Sequence, residues 1–403
     1  QDHDPAEIDH ARLLDPAERL HTLRLDLPAH VPAGHIPLRN EWLERLAAGM
    51  RTASFVPEHL REVEELLGDA WESADGYADF FTAILYRLLG SEGLIILDPV
   101  RPATAPLFRE LIAKELDQPL ATVRAITAAG EALGELGEQP QLGRGKDATN
   151  LFLTSEREGL PRRELLRFDG EVFYTAERDY GADELKGILC AEPWRVTPAA
   201  GLRPVTQDAI LPTAAFVVGP GELKYLAQLR GVYEHHEVPM PLVWPRAGAV
   251  LLEPPVTRIL RRHGLTYERY VAERQGARDR VLLELHGHGS KVEESIAELA
   301  EHYAQLVASI GAIDPTLVST VTRSREQIER TLARLQEKAA LALARRDTVT
   351  SAQFARLEAH LFPAGIPQER SLSPFSFFLK FGVGPVMEEF LSLGAAGEHQ
   401  LSI

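Results

Sequence analysis

The sequence predicts an α/β protein built on a parallel sheet and followed by a long helical hairpin. Three stretches carry that prediction. TAAFVVGP (213–220), GELKYLAQLRGVYEHHE (221–237) and PMPLVWPRAGAVLLE (239–253) read as strand, helix and strand, the order of a parallel α/β unit. SEGLIILDP (91–99) is a short β-branched run closed by Asp98-Pro99, the pattern of a buried parallel strand ending in a loop. Val292, Ile296, Leu299, Tyr303, Leu306, Ile310 and Ile313 alternate steps of four and three, and Ile328, Leu332, Leu335, Ala339 and Ala342 repeat the pattern after Asp314-Pro315. Those are a/d heptad positions.

The elements follow in order. EWLERLAAGM (41–50), FVPEHLREVEELLG (55–68) and ADFFTAILYRLLG (78–90) are helical in rhythm, the last more apolar. The 91–99 strand comes next, then a helix in TAPLFRELIAKELD (104–117). From about residue 118 the character changes: NLFLTS, ELLRF and EVFYT are short strands between turns, as in a small inserted α/β module. The heptad series predicts two antiparallel helices that close on each other or on a partner chain. The final stretch, FPAGIPQERSLSPFSFFLKFGVGPVMEEFL, carries Phe375, Phe377, Phe378 and Phe381, too many aromatics for an exposed tail. The expected divisions are 1–117, core with a helical insertion; 118–200, connecting module; 201–285, second half of the core; 286–346, coiled-coil hairpin; and 347–403, a segment packing back on the core.

Composition limits the function. The chain has 403 residues, 45% hydrophobic and 25% charged, with a formal net charge of −16. That charge argues against wrapping nucleic acid, though not against a local basic pocket for a small anion. No apolar run approaches the ~20 residues of a membrane span, and no signal peptide is visible. A lone Cys190 cannot form an internal disulfide, which suits the reducing cytosol. In DELKGILCAEP it reads as a buried small hydrophobe, because no nearby His would activate it.

The most unusual stretch is LRPVTQDAILPTAAFVVGPGELKYLAQ (202–228). Arg203, Gln207 and Asp208 stand just before the strand, and Thr213 interrupts its entry. Glu222, Tyr225 and Gln228 are spaced three apart, so they share one face of the following helix. That helix begins at the carboxyl end of a strand, where open α/β sheets bind ligands and a helix N-terminus favours anions. A structural Arg203–Asp208 ion pair and a solvated Gln228 are the competing reading. Arg246, in VWPRAGA, could fork onto a carboxylate or phosphate, or simply cover the strand end.

Metal signals are weak. Asp2-His3-Asp4, in the opening QDHDPAEIDH, has a third close ligand only at His10. Adjacent His235 and His236 point about 100° apart on a helix and are expected to be solvated, not to share an ion. His286-Gly287-His288-Gly289 lacks a third ligand at usable spacing and reads as a hinge. Gly143-Arg144-Gly145-Lys146 lacks the Ser or Thr of a phosphate loop, and GxGxxG, HExxH and GxSxG are absent from the sequence.

The 202–228 stretch, VPMPLVWPR, GLIILDP, TNLF with its Asn150, and FPAGIPQER together resemble the bacillithiol biosynthesis cysteine-adding enzyme family. That family typically reads RPxxQDxLLPTxAYxGGPxExxYxxQ where this chain has Arg203, Gln207, Asp208, Thr213, Gly219, Glu222, Tyr225 and Gln228. The resemblance implies a nucleotidyltransferase-like Rossmann core with inserted connecting domains and a coiled coil that dimerises. Two departures stand out: Val218 replaces the first of the paired glycines, and Gly248 replaces a Ser after the PR pair. QDHDPAEIDH aligns with a segment that relatives precede with a substantial stretch of chain, so an N-terminal half-fold is expected to be missing. Asp2, His3 and Asp4 would then face the cleft beside Asp208 and Arg246.

The activity implied is ligation of L-cysteine to the amine of glucosaminyl-malate in the cytoplasm of the cell, by a homodimer. Carboxyl activation would call for ATP or another nucleotide, although the cofactor is left open. The residues expected to act are Asp208 with Asp2 or Asp4, holding the amine or serving as general base. Arg203 and Arg246 would hold anionic groups, and His3, Gln207, Thr213, Glu222, Tyr225, Gln228 and Asn150 would bind substrate, with no metal. Alternatives are a nucleotidyltransferase or aminoacyl-ligase-like enzyme on another substrate, and a non-catalytic dimerising or ligand-binding scaffold.

Overall fold

The computed structural model describes residues 8–29, 31–143, 145–157 and 159–402. Asp2, His3, Asp4 and Arg144 lie outside them. The chain divides into two compact units: residues up to Ala249 together with Leu372–His399, and Val250–Ser371 together with the last few residues.

The first unit opens with an antiparallel hairpin, β1 (His10–Leu14) and β2 (Leu20–Arg24). Three helices follow: α1 (Asn40–Arg51), α2 (Pro57–Glu72) and α3 (Tyr77–Leu89). Each begins within a residue or two of its predicted start, and Pro57 opens α2 where a missing N–H costs nothing. Trp42 on α1 is fully buried and meets Tyr77 edge-on, with ring centroids 6.2 Å apart.

The predicted strand at 91–99 is not one. Residues 94–98 join no ladder, and Ile95 is 90% exposed. A buried parallel strand needs a neighbour to satisfy its backbone, and among the described residues this run finds none.

Helices α4 (Arg109–Asp117) and α5 (Ala121–Glu135) lead into a sheet whose five strands are β3 (Ala148–Arg157), β4 (Leu160–Phe168), β5 (Phe173–Tyr174), β6 (Asp179–Tyr180) and β7 (Val196–Pro198). Their spatial order is β6-β5-β4-β3-β7. Leu153 pairs with Glu164 on one side and Val196 on the other, both antiparallel. The three short strands read from the sequence are its β3, β4 and β5. Helix α6 (Ala182–Ala191) buries Leu185 and Leu189 against this core and turns Cys190 outward. The expected burial of Cys190 is therefore corrected: the inward face of α6 is already filled by leucines.

Helix α7 (Arg203–Ile210) precedes the parallel pair β8 (Ala215–Val218) and β9 (Leu242–Pro245), in register from Ala215↔Leu242 to Val218↔Pro245. The single connecting helix expected from the sequence is two, α8 (Pro220–Leu226) and α9 (Arg230–His236). Between them Gln228 N–H donates to Tyr225 and Leu229 N–H to Leu226, each 3.0 Å, so the chain tightens to three-residue turns. Leu226, Leu229, Val232 and Tyr233 point into the core with Ile126, Leu151 and Leu202; full burial of such a side chain is worth about 1.5–3 kcal/mol. The opposite side of the ladder is open, with Val217, Leu242 and Trp244 exposed. The next run is also interrupted. After Arg246 N–H donates to Val218 at 2.8 Å, the chain leaves this ladder and starts β10 (Gly248–Leu252).

Of the stretch expected to pack back on the core, Leu372–His399 belong to this unit and the residues before them to the second. Phe377 and Phe378 are buried on α10 (Phe375–Phe381), and Ser376 Oγ accepts from Leu14 N–H at 2.8 Å.

In the second unit, Val256, Ile259, Tyr270, Val281, Phe354 and Leu357 form the core. Its hairpin consists of α11 (Gly289–Ile313) and α12 (Val318–Ala344). The break falls at Asp314, whose Oδ1 accepts from Thr316 N–H at 2.8 Å and caps the turn. The two helices close on each other, with Tyr303 Oη 3.5 Å from Ser324 Oγ and Gly311 against Val318. Gly287, at φ 73°, occupies the turn before α11. No described helix is long and apolar enough to cross a membrane.

Candidate functional site

The mouth of the β8–β9 ladder gathers Arg203, Gln207, Asp208, Glu222, Tyr225 and Arg246, half of the residues singled out in the sequence. Pro204, in the first turn of α7, lets that helix start at Arg203, whose side chain leans toward α8. Arg203 Nη2 donates to Tyr225 Oη at 3.4 Å and lies 3.6 Å from Glu222 Oε1. Its guanidinium also stands 6.0 Å from the Phe216 ring centroid, within cation–π range. Glu222 Oε2 accepts from Gly219 N–H at 3.2 Å, closing the capping box of α8.

Arg246 arrives from the other strand. A Cβ on Gly219 would sit 3.8 Å from the Arg246 Cζ and 3.9 Å from Glu222 Oε2. Two guanidiniums thus flank one turn. Among the described residues Arg246 has no ion-pair or hydrogen-bond partner for its side chain, and it is exposed. Helix α8 is only seven residues long and its first turn is capped by its own Glu222. The N–H groups expected there to favour an anion are thus partly taken, and Arg203 and Arg246 are the cations beside the turn.

Asp208 occupies the inner side. Its Oδ2 accepts from Tyr233 Oη at 2.6 Å and its Oδ1 from Gln207 Nε2 at 3.4 Å. Burial, with the Asp208 carboxylate as second cause, pushes the Tyr233 phenol far above its ordinary range. Tyr233 therefore stays a proton donor to a carboxylate. The Arg203–Asp208 ion pair weighed from sequence does not form among the described residues; Arg203 is engaged with Glu222 and Tyr225.

Three expected residues fall elsewhere. Thr213 bonds only its own turn, its N–H donating to Leu211 at 2.8 Å. Gln228 is fully buried, not on the Tyr225 face: its Oε1 accepts from Gln141 and Leu142 N–H, each at 2.8 Å. Its Nε2 donates to Leu142 at 3.1 Å. The helix break rotates Gln228 inward, where it clamps a loop. Asn150 is also fully buried, its Nδ2 donating to Thr122 Oγ1 at 2.9 Å. Sequence reading missed Tyr233 as a functional partner, because at its position on α9 it counts as one more apolar-face residue.

A separate cavity of about 420 Å³ in the same unit is lined by His35, Asp79, Asp98, Arg101 and Trp194. Burial lowers the His35 pKa, with Asp98 opposing, and the His35 ring lies 5.0 Å from Trp194.

This geometry defines the class: a Rossmann-like α/β unit carrying a two-arginine, two-carboxylate site at the end of a parallel ladder, together with a coiled-coil unit. Residues 1–247 match the sequence model described as bacillithiol biosynthesis BshC, N-terminal Rossmann-like domain. Residues 249–399 match that of the C-terminal coiled-coil domain. The chain belongs to the bacillithiol biosynthesis BshC family. It is 39% identical over 382 residues to a protein of Thermus thermophilus named "Putative cysteine ligase BshC", spanning 95% of this chain and 75% of that one. Relatives of the same name in Geobacillus kaustophilus and Chloroherpeton thalassium are 29% and 27% identical, over 98% and 99% of this chain and 74% and 73% of theirs. About a quarter of each relative lies outside the match.

The family's Ser after the PR pair is Gly248 here. A Cβ at that position would lie 2.4 Å from Glu398 Oε2, so a serine side chain would have to displace the Glu398 carboxylate.

Proposed function

We propose that this chain joins L-cysteine to the amine of glucosaminyl-malate, forming the amide bond of bacillithiol. The observation that carries the reading is the family match along both units, with the family's Arg, Asp, Glu and Tyr positions collected at one strand end. The substrates call for that chemistry. Malate brings two carboxylates, and a planar guanidinium forks onto a carboxylate better than any other side chain. Arg203 and Arg246 serve that role. Asp208, oriented by Tyr233 and Gln207, accepts the proton that the amine loses on attack. Tyr225 and Glu222 fix the Arg203 fork.

A carboxylate and an ammonium ion do not condense unaided in water, so the cysteine carboxyl must be activated; ATP or another nucleotide supplies that chemistry when bound. The enzyme acts in the cytoplasm, as a homodimer through the hairpin. Support for the dimer comes from Leu306, Ile313 and Leu335, heptad residues that the hairpin leaves 46%, 82% and 57% exposed.

The test is direct. The purified chain is incubated with L-cysteine and glucosaminyl-malate, with and without ATP, and the products are weighed by mass spectrometry. The expected product is the cysteinyl amide. No amide with any nucleoside triphosphate, under conditions where a full-length relative forms it, would overturn the reading for this chain.

A further inference from the structure

A second polar cluster lies inside the first unit, away from the arginine site, and joins the end of α4 to the end of α9. Glu115 and His236 have fully buried side chains, and His236 Nε2 lies 3.0 Å from Glu115 Oε2. His235 stands beside them, its ring edge-on to His236 with centroids 4.9 Å apart. The sequence reading held that adjacent histidines diverge and are solvated. In the structure α9 ends at His236, and Glu237 takes the left-handed conformation at φ 59°. The two imidazoles converge, and His236 is buried.

We propose that Glu115, His235 and His236 form a binding site for one divalent transition-metal ion, with zinc the ion this donor set suits best. One ligand atom from each residue lies within 4.8 Å of the others, close enough for small side-chain rotations to bring all three onto a single ion. Two imidazoles and a carboxylate, leaving a fourth position open, form a recognised three-residue zinc set.

Two observations favour an ion over a plain hydrogen bond. First, His235 Nε2 is buried without a hydrogen-bond partner, as is His236 Nδ1; leaving a buried polar atom unmet costs about 1–3 kcal/mol. An ion gives the His235 lone pair something to bind. Second, the carboxylate is held from behind: Thr122 Oγ1 donates to Glu115 Oε1, and Asn150 Nδ2 donates to Thr122. Outer partners of this kind orient metal ligands. Loading is ligand exchange on the ion, with no electron transfer and no co-reactant. The inference is independent of the ligase reading.

The experiment uses the full chain after treatment with a chelator. Zn²⁺ is titrated in competition with a chromophoric chelator, and Co²⁺ binding is followed by its visible d–d bands. The expected result is one ion per chain. His235→Ala should weaken binding at least tenfold, and Thr122→Val by roughly 10–100-fold. Because Glu115→Gln risks the buried core, His235→Ala carries the test, with its circular dichroism compared to the parent chain. Failure to bind one ion, or His235→Ala binding like the parent, overturns the proposal.

Discussion

The Tyr233 hydroxyl donates to Asp208 Oδ2 at 2.6 Å, from a helix whose other buried residues are Val232 and His236. A phenol in that position does one thing a phenylalanine cannot: it fixes a carboxylate at the edge of the cluster. Hydrogen bonds to a charged group are worth about 1.5–3 kcal/mol. Tyr233→Phe should therefore keep the fold and lower kcat at least tenfold. Asp208→Asn should lower it at least as far. The double variant should lose little beyond Asp208→Asn, because the two residues act as one unit. Additive losses in a double-mutant cycle would separate them.

Arg203, from helix α7, and Arg246, just past β9, approach the same turn, and this predicts their kinetic signature. Arg246→Ala should raise KM for glucosaminyl-malate about 10–100-fold, a loss of one charged contact, and leave KM for cysteine nearly unchanged. Arg203→Lys should fail to rescue, since one ammonium cannot serve both Tyr225 and a carboxylate in the guanidinium's plane. If both variants shift the cysteine KM instead, the anion-binding role moves to the other substrate.

Gln228 gives the opposite prediction. It satisfies the N–H groups of Gln141 and Leu142 from a fully buried position. Gln228→Leu strands both of them and should destabilise the protein by roughly 2–4 kcal/mol, read as a lower denaturant midpoint. Per folded molecule, the substrate KM should stay as in the parent. A KM change without a stability loss would return Gln228 to the site.

That contrast shows what sequence could and could not reveal. The heptads of the hairpin, the strands at 150–155, 164–168 and 171–175, and the parallel βαβ order are legible because periodicity reports burial directly. The split between α8 and α9 is not, since nothing in LKYLAQLRGVY says that Gln228 bonds a loop some 86 residues away. Arg203, Asp208, Glu222, Tyr225 and Arg246 come from one short region and its neighbouring strand, so chain proximity already placed them together. Glu115, Thr122, Asn150 and His236 are spread over four elements, and only the packed core brings them into contact. The strand at 91–99 fails for a third reason: a sequence run can specify a strand, but its ladder has to come from another segment.

Asp15 sets an acid limit on stability. It is fully buried; burial alone would raise its pKa, but the N–H groups of Arg19 and Ser54, the His21 ring and the Arg19 guanidinium together bring it down to about 2. An unfolded aspartate titrates near about 3.9. With the folded value lower, the unfolded chain binds the proton first, so this stabilisation is complete above about pH 4 and is lost as pH falls toward 2. Asp15→Asn should lower stability at pH 7 and flatten the decline between pH 4 and 2, as followed by urea unfolding at each pH. A parallel decline in both proteins would assign the acid limit to other carboxylates.

The hairpin makes the final prediction. Its two helices satisfy one seam between themselves, at Tyr303–Ser324 and Gly311–Val318. Residues 275–285 pack against the hairpin, but Leu306, Ile313 and Leu335 stay exposed on it. A second copy of the same hairpin is the simplest cover, since it presents the same apolar residues and can form a closed two-fold interface. Leu306→Glu together with Leu335→Glu places like charges on both sides of such an interface but leaves the intramolecular seam intact. Analytical ultracentrifugation should show a dimer for the parent chain and a monomer for the double variant, with helical circular dichroism unchanged. A parent chain that sediments as a monomer at tens of micromolar would rule out this interface, and a variant that loses helix would place these leucines in the seam after all.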